Sequence, residues 1–189
     1  IVAQDRVVAR RMRALLERAQ VLVADETGWT FATLSVSTVL DRWLTALQSD
    51  FYHLDLLDLL KSPFIFSDMP AGERKAVVYQ LEHLLRKQGV VSGLDKFLEL
   101  AEPELALHQP LARLRQAAAL LEQGKKRSLA EWLLALRESL NVLGVDGGLE
   151  QDAAGQQLLR ALDAWQQELH SDAGRYRFIE WRRWLAQQL

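Results

Sequence analysis

The residues best suited to chemistry lie near the carboxyl end, where Arg175, Arg177, Arg182 and Arg183 alternate with Tyr176, Phe178, Trp181 and Trp184. Guanidinium groups pair with phosphates and aromatic rings offer a face to bases, so this interleaving fits DNA binding. More often such a pattern is an amphipathic helix whose basic face is only solvated. Gly124-Lys125-Lys126 has the glycine and lysine of a phosphate-cradling loop without its spacing, because position 119 is Ala and no hydroxyl residue follows Lys125. It reads as a solvated basic turn between two helices.

Other candidates fall to simpler readings. His53, His83, His108 and His170 stand too far apart for the paired spacing of a zinc helix. Asp68, Glu73 and Lys75 have the residue types of a metal-dependent nuclease site, but beside Pro70 they fall at a helix start instead of on a strand. Ser35, Ser37 and Thr38 precede an apolar stripe and lack a nearby histidine base, so helix-start hydrogen bonding accounts for them. We therefore expect no catalytic set and no metal ligands in the chain itself. Of the six tryptophans, Trp43, Trp132, Trp165 and Trp181 lie on apolar stripes and read as core, while Trp29 and Trp184 are less determined.

The 189 residues are 49% hydrophobic and 25% charged, which is ordinary globular composition. With 23 Lys and Arg against 25 Asp and Glu, the net charge of -2 supplies no global field for nucleic acid, so any DNA contact must be local. The absence of cysteine excludes thiolate zinc sites, disulfides and cysteine nucleophiles, and suits a reducing cytoplasm. No apolar run approaches the roughly 20 residues that span a bilayer. The expected setting is cytoplasmic, without a membrane partner.

The elements that would position these residues are mainly helical. Ile1 to Ala3 is apolar, Asp5 can cap, Val8, Met12, Leu15, Leu16 and Ala19 recur at helical spacing, and Val21 to Ala24 is apolar again. That order predicts strand, helix, strand, a small β-α-β fragment whose right-handed crossover makes the strands parallel neighbours. Two strands leave sheet edges uncovered, so the rest of such a sheet is expected outside this chain. Beyond Gly28 the pattern predicts only helices. A stripe of Val36, Val39, Leu40, Trp43, Leu44 and Leu47 comes first, then a helix over 51–60 stopped by Ser62-Pro63, and one from Pro70 to a left-handed stop at Gly89. Helices over 94–101 and about 110–123 follow. Ser128-Leu129-Ala130-Glu131 is a capping box opening the next, Gly144 to Gly148 reads as a flexible loop, and two amphipathic helices close the chain.

The succession at the amino end resembles a known family. Ala3-Gln4-Asp5-Arg6, between a strand and the Leu15-Leu16-Glu17-Arg18-Ala19 helix, resembles the fourth conserved motif of superfamily 1 helicases of the UvrD and RecB kind. Asp25-Glu26-Thr27-Gly28-Trp29, the 34–47 helix and Leu56-Leu57-Asp58-Leu59-Leu60-Lys61-Ser62-Pro63-Phe64 keep the family's order, and the last is similar to the entry into the large helical insertion of AddB-like bacterial DNA repair helicase-nucleases. The resemblance covers residues 1 to 66 and is general beyond. It implies a fragment of a RecA-like α/β motor domain over 1–48 and a helical, bundle-like insertion over 49–189. It implies a role in DNA handling and nucleotide-linked domain movement within a DNA repair helicase and exonuclease. Arg6 would be the arginine that reaches the phosphates of ATP. The phosphate loop, the Asp-Glu pair for magnesium, the final arginine motif and the nuclease signature have no counterpart here, so ATP and magnesium would belong to the parent protein and the fragment would not be catalytic alone. DNA and a partner helicase-nuclease subunit are the implied partners. The alternative is a helical protein-protein interaction module without a nucleic-acid role.

Overall fold

The computed structural model describes residues 12, 15, 16, 18 and 35–189. The expected β-α-β unit, its two strands and Arg6 lie outside the described residues, apart from Met12, Leu15, Leu16 and Arg18, which are helical. From residue 35 onward the chain is mainly α, and among the described residues no strand forms.

Helix α1 (Ser35–Gln48) buries Val36, Val39, Leu40, Trp43, Leu44 and Leu47, the whole apolar stripe at offsets of three and four. Helix α2 (His53–Leu60) starts two residues later than the pattern predicts. Asp50 and Phe51 both have left-handed φ, 52° and 54°, which breaks the helix while letting Phe51 drop into the core beside the Trp43 ring at 6.0 Å. After Ser62-Pro63 the chain turns without regular structure through residue 69, buries Ile65 and Phe66, and is tied down by the Phe66 amide donating to the Leu143 carbonyl at 2.9 Å.

Helix α3 (Ala71–Gln88) ends at Gly89 with φ 65°, the left-handed stop its glycine predicts. It buries Val77, Leu81 and Leu85, with Val78 and Leu84 half-buried. Helix α4 (Leu94–Ala101) has the expected bounds. Helix α5 (Leu105–Leu120) does not, since Pro110 lies inside it instead of opening it. The proline ring belongs to the buried stripe Leu107, Pro110, Leu111, Leu114, and the amide it lacks would have served the carbonyl of Ala106, an exposed residue.

Helix α6 (Leu129–Val142) is the centre of the body and packs against α5 and against α8 (Ala153–Glu168). Between them α7 (Val145–Glu150) replaces the expected loop. Glycines there permit close approach instead of motion: a Cβ on Gly147 would meet Ser67 Oγ at 3.3 Å, and one on Gly148 would meet Ser67 Cβ at 3.2 Å and Phe64 Cδ1 at 3.3 Å. Helix α9 (Phe178–Gln188) closes the chain on α6, burying Phe178, Trp181 and Leu185. One hydrophobic core takes residues from α1 through α9.

A buried polar link joins α1 and α6. Trp43 Nε1 donates to Ser139 Oγ at 3.1 Å, and that hydroxyl donates to the Leu136 carbonyl at 2.8 Å; both residues are fully buried. Removing the hydroxyl leaves the indole N–H without a partner and without water. Ser139→Ala is expected to cost about 1–2 kcal/mol in a urea melt. A stability equal to wild type would show that the bond contributes nothing to holding α1.

Candidate nucleic-acid interface

The expected basic cluster divides when folded. Arg182 turns away from its neighbours and binds α1, donating to Thr45 Oγ1 at 2.6 Å, Asp41 Oδ1 at 3.1 Å, the Leu44 carbonyl at 3.3 Å and Gln48 Oε1. It is half-buried and fastens α9 to α1. Arg183 is exposed on α9. Arg175 and Arg177 stay together at the start of α9, where a long-range contact joins them to the basic turn before α6.

That contact is an isolated antiparallel bridge between Arg127 and Tyr176. The Arg127 amide donates to the Tyr176 carbonyl at 3.1 Å, and the Tyr176 amide returns a bond to the Arg127 carbonyl at 2.8 Å. The Trp132 indole N–H also donates to the Tyr176 carbonyl, at 2.9 Å. Side chains alternate across such a pair, so Arg127 and Tyr176 take one side while Lys126, Ser128, Arg175 and Arg177 take the other, with Lys126 across from Arg177 and Ser128 across from Arg175. The ring contacts agree. The Arg127 guanidinium lies 4.8 Å over the Trp132 ring and donates to the Leu120 carbonyl at 2.7 Å, whereas Lys126, Arg175 and Arg177 are exposed.

The bridge is backed by aromatic packing. Trp132 stacks on Trp181 with centroids 5.4 Å apart and meets the Phe178 edge at 5.8 Å. The starts of α6 and α9 are thereby held side by side, and helix starts favour anions. Acids occupy the caps: Glu131 accepts from the Ser128 amide at 2.7 Å while Ser128 Oγ accepts from the Glu131 amide at 3.2 Å, and Glu180 accepts from the Arg177 amide at 2.7 Å. The Ser128 amide bond, and after it the charges of Arg175 and Arg127, hold the Glu131 carboxyl below its usual range.

Residues 122–131 and 172–180 carry five cations against four carboxylates, so the surplus at this corner is one charge. The acids are engaged locally: Glu122 with Lys125 at 2.6 Å, Asp172 with the Gly174 amide at 3.0 Å, and Glu131 and Glu180 at the caps. Lys126 and the Arg177 guanidinium make no ion pair among the described residues. Such a corner can attract a phosphate oxygen.

The remaining candidates are placed apart. Asp68 receives the Arg113 guanidinium at 2.9 Å, while Glu73 and Lys75 are exposed on α3. His53 Nδ1 lies 3.2 Å from the Val91 carbonyl, and among the described residues no group of three or more His, Asp or Glu is placed to hold a metal ion. Ser35 begins α1. Trp43, Trp132 and Trp181 are fully buried, Trp165 and Trp184 are half-buried with their rings 6.2 Å apart, and Trp29 lies outside the described residues. Sequence reading missed Lys126 as a partner of Arg177, because nothing local announces a bridge between residues 49 positions apart. No helix of the described residues is long and apolar enough to cross a membrane. No protein-family model, curated protein or solved structure matches the chain.

Proposed function

We propose that this chain belongs to a DNA repair helicase-nuclease of the UvrD and RecB kind, where its helical body grips nucleic-acid phosphates without catalysing a reaction itself. The observation that carries the phosphate reading is the corner at which Lys126, Arg175 and Arg177 lie exposed on one side of the Arg127–Tyr176 bridge. The assignment to a helicase-nuclease rests on the amino-terminal motif order, with Arg6 as the contact to ATP and magnesium supplied in the parent protein.

Binding is expected to be weak and salt-sensitive, because the local surplus is a single charge. Three phosphate contacts predict a log-log salt slope of about -2.7, a loss of roughly 40-fold between about 50 and 200 mM salt. Lys126→Glu with Arg177→Glu should reduce the slope toward about -0.9 and weaken binding to forked DNA measured by fluorescence anisotropy. Equal binding by this double variant would move the interface elsewhere, and no binding at low salt would remove the nucleic-acid role.

A second reading, a protein-interaction module, draws on a different face. Tyr79 (72% exposed) and Leu105 (68% exposed) flank a groove of about 480 Å³ between α3 and α5, lined also by His83, Lys87 and Ala106. Large exposed apolar side chains beside a groove are what a partner protein would cover.

A further inference from the structure

The basic corner contains one contact that a phosphate ligand has to open. Arg175 Nη1 donates to Glu131 Oε2 at 2.6 Å, and that same oxygen accepts from the Ser128 amide at 2.7 Å. One carboxylate oxygen thus closes the capping box of α6 and holds the arginine nearest to it.

We propose that Glu131 stands in for a nucleic-acid phosphate in the unliganded protein, so that Arg175 reaches a ligand only when this ion pair opens, and the pair sets the affinity of the corner. The inference rests on the phosphate-binding reading above and adds a regulator to that site. Geometry makes the exchange possible: a guanidinium presents the same forked donors to a carboxylate and to a phosphate, so Arg175 can pass from one to the other without losing its bonds. Exposure makes it cheap. The Arg175 and Glu131 side chains are 59% and 50% exposed, and an ion pair this open is worth a factor of about 2 to 5 in an equilibrium. Glu131 itself does not leave with the ligand, because the Ser128 amide and the Ser128 hydroxyl keep it at the helix start.

The arrangement also supplies a clean variant. Gln serves at the third position of a capping box as Glu does, so Glu131→Gln keeps the start of α6 while removing the charge that holds Arg175. Anisotropy of a fluorescein-labelled forked DNA at about 50 mM salt is compared for wild type, E131Q, R175A and the double variant, with thermal melts confirming that each is folded. E131Q is expected to bind about 2- to 5-fold tighter than wild type, R175A weaker, and E131Q is expected to add nothing once Arg175 is absent. An equal gain in both backgrounds would mean that Glu131 merely repels DNA, and it overturns the proposal, as does E131Q binding like wild type. If neither wild type nor any variant binds, the phosphate-binding reading fails first and takes this inference with it.

Discussion

Trp132→Ala is expected to lower stability by about 3–5 kcal/mol and the melting temperature by on the order of 10 °C, with loss of binding at the basic corner. Trp132 is fully buried between Trp181 and Phe178, carries the Arg127 guanidinium on its face, and reaches the Tyr176 carbonyl through its indole nitrogen. Two effects compete to explain its importance. Losing the hydrogen bond costs about 1 kcal/mol, and less here because the Tyr176 carbonyl still accepts from the Arg127 amide at 3.1 Å. Losing the ring opens a cavity under two helix starts, and the cavity term is the larger. Trp132→Phe separates them. It retains most of the ring and abolishes the N–H, so a urea melt should place it within about 2 kcal/mol of wild type. If Phe proves as damaging as Ala, the bond and not the packing holds the corner.

Much of the helical body was legible in the sequence, and the reason is local. The α1 stripe repeats at three and four, and each of its six members is buried; Gly89 stops α3 in the left-handed region; Ser128 and Glu131 make both bonds of a capping box. Each depends on residues within a few positions of one another. Where local pattern and fold differ, a residue serves something other than its commonest local use. Pro110 suggested a helix start, but its ring completes a buried stripe between Leu107 and Leu114, and burial of that stripe outweighs the roughly 3 kcal/mol that an interior proline costs. Gly147 and Gly148 suggested flexibility, although the turn at Phe64 and Ser67 comes too close for a side chain.

The site was half legible for the same reason. Arg175 and Arg177 stood out as basic and aromatic neighbours, and Lys125-Lys126 as a basic turn, each from a few consecutive residues. Their union depends on the Arg127–Tyr176 bridge, whose two halves belong to segments with no shared pattern. Arg182 shows the converse: its neighbours suggested a common basic face, but one helical turn directs it to Asp41 and Thr45 on α1. Periodicity reveals which face of a helix is polar and not what meets that face.

Gly155→Ala is the second change expected to be severe, at about 3 kcal/mol of lost stability, and it runs against helix propensity. Gly155 sits in the first turn of α8, where Asp152 Oδ1 accepts from its amide at 2.9 Å, and by propensity alone Ala should gain about 1 kcal/mol. Space decides otherwise. An added Cβ would lie 2.2 Å from the Leu149 carbonyl oxygen and 2.7 Å from the Leu149 Cα, and these are backbone atoms of α7 that cannot rotate aside. Relief requires α8 to lift from α7, exposing Leu149 and Val145, both now buried. Gly72 in the first turn of α3 is the matched control, because a Cβ there meets nothing within 4 Å. Gly72→Ala should be neutral or stabilising by up to about 1 kcal/mol, so the same substitution in two helix first turns should move the urea midpoint in opposite directions. Parallel shifts would mean that propensity, and not the close crossing of α7 and α8, governs Gly155.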